Sequence, residues 1–514
     1  MSAIRSGTAA PAVLAVAVLA ITSPACAHGF GDRYDLPVPL SMWVAGAAIA
    51  VVLSFVVVGL VVRAPTIPGN YARVNLLRWR PARILVDPRL WLAGRIASIA
   101  LLLLIVAAGV LGNQNPTRNL APTAVWVIWW VGVAYLSALL GNIWLVVNPW
   151  SAAFAAVERF VGGDLAWHPP YPRALGAWPA VMLFGAFAWT ELVFNGRAIP
   201  AQLALLILGY SLVTWTGMGV FGRATWLRHG DPFATVFGLL ARFAPLELRV
   251  SNPRWCHRCE GDCDGSGDGC VNCLECFERA RERERELNLR PWAAGLLDAR
   301  EVSPSMVVFV LLLLATVTFD GFMATPPWST VESTLYPLMP GDPDLKLTLT
   351  STVGLLAFAI LFVAAYRVVA AGVAVAAGRH ASSRIAGVFV LSLVPIALAY
   401  HLAHYFTYLL IQGQLAIPLA SDPFGFGWNL FGTAAFVPDF GLVNARVAWY
   451  TSVVAIVIGH IVAVYVAHVV ALQEFRERRA VVRSQLVMLA LMVGYTTASL
   501  WIIAQPIVEF SGTS

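Results

Sequence analysis

Apolar positions along this chain neither alternate nor fall into half-polar turns. They form unbroken runs separated by short polar stretches. Ten runs stand out, at about 39–62, 91–112, 123–147, 174–194, 199–222, 304–323, 347–371, 386–412, 447–472 and 484–507. About 20 residues rising 1.5 Å each match the ~30 Å hydrocarbon core of a bilayer. Runs of this length without period-two alternation exclude a β-barrel. They predict an all-α polytopic membrane protein of about ten transmembrane helices, with the lipid bilayer as its first partner.

The polar stretches are of two kinds. One set carries clustered arginines: Arg73, Arg78, Arg80, Arg83 and Arg89, then Arg159 and Arg173, Arg223 and Arg228, Arg379 and Arg384, and Arg476 to Arg483. The other set carries almost none (Arg118; Arg197) and in its later members, 324–346 and 413–446, is rich in Pro, Gly and Phe. The positive-inside rule then gives a multi-pass protein of a bacterial-type cytoplasmic (inner) membrane, with the mature N-terminus and the C-terminus outside. Residues 1–27 read as a cleavable signal peptide or an extra N-terminal helix. Arg5 supplies the basic start, Ala12 to Ile21 the apolar core and Ala25-Cys26-Ala27 the cleavage site.

The expected organisation is a first five-helix half at 28–222, a cytoplasmic segment at 223–303 and a second five-helix half at 304–514. Five spans on each side of the insert make the halves inverted in topology, an architecture common among secondary transporters. The segment 223–303 opens with Phe233, Phe237, Leu240 and Phe243 at helical spacing. That pattern predicts an amphipathic helix on the membrane surface.

Composition agrees with this class. The chain is 59% hydrophobic and 12% charged, half of the ~25% usual in soluble domains, with mean hydropathy +0.73. The net charge of +6 resides in membrane-flanking arginines, so no nucleic-acid partner is indicated. The sequence contains no Walker A loop, no G-x-G-x-x-G, no H-E-x-x-H and no G-x-S-x-G, so neither an ATP-driven pump nor a familiar hydrolase is read here.

Candidate chemistry lies in two places. Within the spans, ionisable groups are few: Glu191, Asp320, Arg367, His401, His404, His460 and His468. Counted from the arginine-bearing ends, Glu191, Asp320 and His404 sit roughly 24–26 Å up, His401 roughly 21 Å and His460 roughly 18 Å. A buried carboxylate or imidazole costs a few kcal/mol unless it is paired, so such a layer reads as functional. Asp320, His401, His404 and His460 are the expected substrate or proton path, for a transition-metal cation or a proton-coupled small solute. Neutral imidazoles also bind metal or haem iron. Glu191 is set aside as close enough to the outer interface to be hydrated, and Arg367 as snorkelling inward.

The second place is the run Cys256-x2-Cys259-x3-Cys263-x6-Cys270-x2-Cys273-x2-Cys276. Six thiols on the reducing side of a membrane point to soft-metal binding. Zinc is the first expectation, through Cys256, Cys259, Cys273 and Cys276, and an iron–sulfur cluster using Cys270, Cys273 and Cys276 is the competitor. His28, the residue after the cleavage site, is a candidate copper ligand through its amine and ring nitrogen. The leading function is a cation transporter with a cytoplasmic metal site. The alternative is a membrane redox or metal-cofactor protein with iron–sulfur, haem or copper centres, a metal-dependent oxidoreductase if it is an enzyme.

Overall fold

The computed structural model describes residues 34–64, 70–258, 265–266, 269–297, 300–378 and 381–509. The signal segment, His28, Cys259 and Cys263 lie outside the described residues. Among the described residues, nine helices are long and apolar enough to cross a membrane. These are α1 (Leu40–Val61), α2 (Pro88–Leu111), α3 (Leu120–Leu139), α5 (Pro200–Phe221), α7 (Pro304–Phe322), α8 (Pro343–Ala376), α9 (Ser382–Ser421), α10 (Ala445–Glu474) and α11 (Arg478–Ile507). Their ends are set by local chemistry. Asp87, Ser303, Asp342 and Asn444 cap the N-termini of α2, α7, α8 and α10 through their side chains, and proline occupies the first turn of α2, α7 and α8.

The run expected at 174–194 forms α4 (Trp178–Leu192), only fifteen residues and roughly 22 Å long. Strand pairing is in keeping with its crossing. Strands β2 (Val74–Asn75), β3 (Leu246–Val250), β4 (Gly265–Ser266), β5 (Gly269–Val271) and β6 (Arg285–Leu289) form one sheet in the order β2-β6-β3-β5-β4. Residues 74 and 246 are therefore on one face of the bundle. The three long helices between them, α2, α3 and α5, would leave them on opposite faces, and α4 restores the even count. The same parity holds for the whole chain. β1 (Tyr34–Asp35) before α1 pairs with β7 (Val508–Glu509) after α11.

Other contacts sort the loops onto the same two faces. The Ala177 N–H donates to Ser305 Oγ, and Arg384 joins Glu474. Opposite them, the Asn113 N–H donates to the Phe424 carbonyl. Every arginine-rich loop placed by these contacts falls on one face, as the charge pattern predicts.

Helix α6 (Pro232–Phe243) departs from expectation. It does not lie on a surface. Pro232, Phe233, Thr235, Val236, Phe237, Leu239, Leu240 and Ala241 are all buried. Both flanks belong to the arginine-bearing face: His229 stacks on Tyr171 before it, and Phe243 packs against Trp292 after it. The helix therefore enters and leaves the bundle from one side. Its apolar stripe, which could equally cover lipid, is taken by Trp129, Trp130 and Phe187.

The sheet face is locked to α6 by one side chain. Arg290 donates to the carbonyls of Ala241, Arg242 and Ala244 at the C-terminus of α6, where helix carbonyls lack partners. It also reaches Glu247 at 2.7 Å and Tyr71 at 3.2 Å. Glu247 in turn accepts from Arg73 and Tyr71. The Glu247 and Arg290 side chains are 0% and 1% exposed, so this is a buried, fully hydrogen-bonded charge pair of the kind the interior tolerates.

Candidate functional site

Three helices from both halves of the chain build the site. Asp320 sits two residues before the end of α7, and Glu191 one residue before the end of α4. His404 and Tyr405 lie on the central stretch of α9, Val394–Gln412. Close packing brings these helices together. At Gly321, beside Asp320, a Cβ would lie 2.6 Å from Tyr400 Oη. At Gly459 on α10 a Cβ would lie 2.3 Å from Ala399 Cβ, so α9 and α10 touch backbone to backbone, as small residues permit in membrane helices.

The polar geometry is compact. His404 Nε2 is 2.8 Å from Asp320 Oδ2, and the Tyr405 hydroxyl donates to the same oxygen at 2.7 Å. The hydroxyl is also 3.3 Å from Glu191 Oε1. One hydroxyl carries one proton, so it can donate to only one of the two carboxylates. The second contact becomes a full hydrogen bond when Glu191 itself carries a proton and donates it to the hydroxyl oxygen. Both carboxylates also occupy the last turn of their helices, where the partial negative charge of the helix end disfavours an anion. The His404 and Asp320 side chains are 13% and 19% exposed.

His401 lies on the far side of Tyr405, with ring centroids 4.7 Å apart, and meets Trp130 at 5.8 Å and Tyr135 at 5.4 Å. Both its ring nitrogens are buried without a hydrogen-bond partner. Beside it is a cavity of about 10 Å³ lined by Val236, Leu240, Leu313 and Val317. Its lining is almost wholly apolar, and such cavities stay dry. Val236 and Leu240 of α6 thus close the space beside His401.

His460 is not in this group. Its Nδ1 faces the Ile456 carbonyl of its own helix at 2.8 Å, and its ring packs against Tyr495 at 5.9 Å. His468 is tied near the arginine-bearing face, with Nε2 3.0 Å from the Val62 carbonyl. Glu191, set aside from sequence, is instead part of the cluster. Its depth, equal to that of Asp320 and His404, was the available signal. Tryptophans supply an interior bed beside the cluster. Residues Thr123–Val133 of α3 form a π-helix, and this wider turn carries Trp126, Trp129 and Trp130.

Four of the six clustered cysteines are brought together. Cys256, Cys270, Cys273 and Cys276 share a small core with Trp91, Val250 and Phe277. Cys256 and Cys270 are joined by a disulfide, so they are not thiolate ligands in this state. This departs from the six-thiolate set expected from sequence. The cause is register: β3 and β5 pair with Val250 opposite Cys270, which delivers Cys270 to the turn bearing Cys256. Among the described residues, no three His, Cys, Asp or Glu side chains gather in a way that could hold a metal ion.

No family model matches the chain, and no curated protein or solved structure is similar to it.

Proposed function

We propose that this protein is a transporter that moves a cation or a proton-coupled small solute, and that Asp320, Glu191, Tyr405 and His404 form its proton-binding site. The observation that carries the reading is the single Tyr405 proton between two carboxylates. A second proton completes that bridge, and its loss leaves two facing acceptors, which gives the site two states of different charge. The halves of the chain meet here, Glu191 coming from the first and Asp320, His404 and Tyr405 from the second, as in transporters whose sites lie between repeats. His401, beside Tyr405 and with both ring nitrogens unpartnered, is the next proton acceptor towards α6. His460 is a helix-packing residue in this reading.

The cysteine segment is a separate site on the opposite face. When Cys256 and Cys270 are reduced, the segment takes a soft metal, zinc before iron–sulfur. Inner-membrane placement with this segment in the cytoplasm follows from the arginine distribution.

The test is flux. Full-length protein in liposomes, carrying an internal pH dye, should show ion- or solute-dependent proton movement. Asp320→Asn, Glu191→Gln and His404→Ala should each abolish it while leaving the protein inserted. Wild-type flux in all three would remove the site. A purified protein that absorbs in the visible region and moves no ion would replace transport with the redox reading.

A further inference from the structure

A groove of about 660 Å³ opens between the ends of α1, α10 and α11 on the arginine-bearing face. Its walls are apolar, including Phe55, Leu60, Leu472 and Val482. Its rim carries Arg63, Arg476 and Arg478. Arg63 Nε donates to the Leu60 carbonyl, which leaves its terminal nitrogens available. None of the three guanidinium groups has a carboxylate partner among the described residues. One further feature favours an anion. The N-terminus of the thirty-residue helix α11 begins at Arg478, and helix starts carry partial positive charge.

We infer that this groove is a binding site for one anionic phospholipid, with the phosphodiester among Arg63, Arg476 and Arg478 and an acyl chain along α1 and α11. The charge is complementary, since three arginines line one groove and none is ion-paired among the described residues, and guanidinium binds phosphate oxygens in paired hydrogen bonds. The apolar walls separate a lipid from a free phosphate, which would gain nothing from Phe55 or Val482. Basic pockets between helices at the headgroup level are the usual form of such sites. Each guanidinium near an anionic headgroup contributes roughly a fivefold gain in affinity, so the three together amount to about a hundredfold.

The inference is tested on full-length protein in mild detergent by native mass spectrometry, with phosphatidylglycerol and phosphatidylcholine as probes. One phosphatidylglycerol per chain should be retained and phosphatidylcholine should not. The variant R63Q/R476Q/R478Q should lower phosphatidylglycerol affinity by about a hundredfold. R80Q/R83Q/R89Q, which removes three guanidinium groups of the same face outside the groove, should bind as wild type. Gly59→Trp keeps every charge but fills the groove, because nothing lies within 4 Å of a Cβ built there. It should also lose the lipid. Equal retention of the two lipids, loss of binding in R80Q/R83Q/R89Q, or wild-type binding in Gly59→Trp would overturn the assignment. Displacement of the lipid by millimolar inorganic phosphate would reduce it to an anion site, and a dimer that excludes the lipid would assign the groove to a second copy of the chain.

Discussion

Asp320→Asn isolates the charge at the site with almost no change in shape. In the wild type, Oδ2 accepts from both the Tyr405 hydroxyl and His404 Nε2, at 2.7 and 2.8 Å. Hydrogen bonds to a charged group contribute about 1.5–3 kcal/mol each, against about 0.5–1.5 for neutral pairs. If the amide oxygen takes the place of Oδ2, both bonds survive as neutral ones, and the loss is about 1–1.5 kcal/mol per bond, or about 2–3 kcal/mol together. If the amide nitrogen takes that place, the Tyr405 proton loses its acceptor and the loss is larger. Both side chains are less than one-fifth exposed, so solvent does not erase the effect. The measurement is unfolding in mixed micelles for Asp320→Asn, His404→Gln and the double variant. The cycle should show a coupling of about 1–2 kcal/mol, well above the ~0.3–0.5 kcal/mol within which independent sites add. Additivity within that margin, with both single variants near wild type, would refute an energetically real Asp320–His404 pair, and the proton-counting argument would lose its centre.

Four further outcomes follow from the packing and charges. Arg290→Met removes the cap on α6 and strands Glu247, and should destabilise the protein by about 3–5 kcal/mol, with Arg290→Lys intermediate; hydrogen exchange of residues 241–244 should rise in both. Gly459→Leu forces α9 and α10 apart and should cost about 1–3 kcal/mol or more, read as a lower midpoint in the same micelle titration. The Glu284 carboxylate accepts from Asn252, Trp255 and the Arg281 N–H, which hold it at about 2, below its usual 4.5. A lowered folded-state value gives stability that is complete above about 4.5 and fades as pH falls towards 2. The unfolding midpoint should therefore fall over that window in the wild type and fall less in Glu284→Gln, while the Trp255 fluorescence of the folded wild type should change around pH 2. Thiol labelling in denaturant, before and after reduction, should reach Cys256 and Cys270 only after reduction, and a Cys256→Ser variant in which denatured, unreduced Cys270 labels no more than in oxidised wild type would argue against their pairing.

The sequence alone determined the membrane class, the positions of the crossing segments and the grouping of arginine loops on one face. These are one-dimensional properties. A run of twenty apolar residues has few alternatives to spanning, and charge beside it acts through proximity in the chain. It also ranked ionisable residues by depth, since helical rise converts residue number into height. Glu191, Asp320 and His404 came out level, and they are indeed neighbours. Height, however, leaves two coordinates open: which helices adjoin, and which way each is turned. His460 turns towards Ile456 and Tyr495 and leaves the group, whereas Glu191 enters it through Tyr405. Helix α6 shows the same limit, because an apolar stripe covers lipid and protein equally well and only the presence of Trp129, Trp130 and Phe187 decided which. The fifteen residues of α4 were too few to establish a crossing by length, and the sheet made by residues 74–75, 246–250 and 285–289 is in keeping with one. Local pattern fixed what must be buried, and long-range packing chose against what.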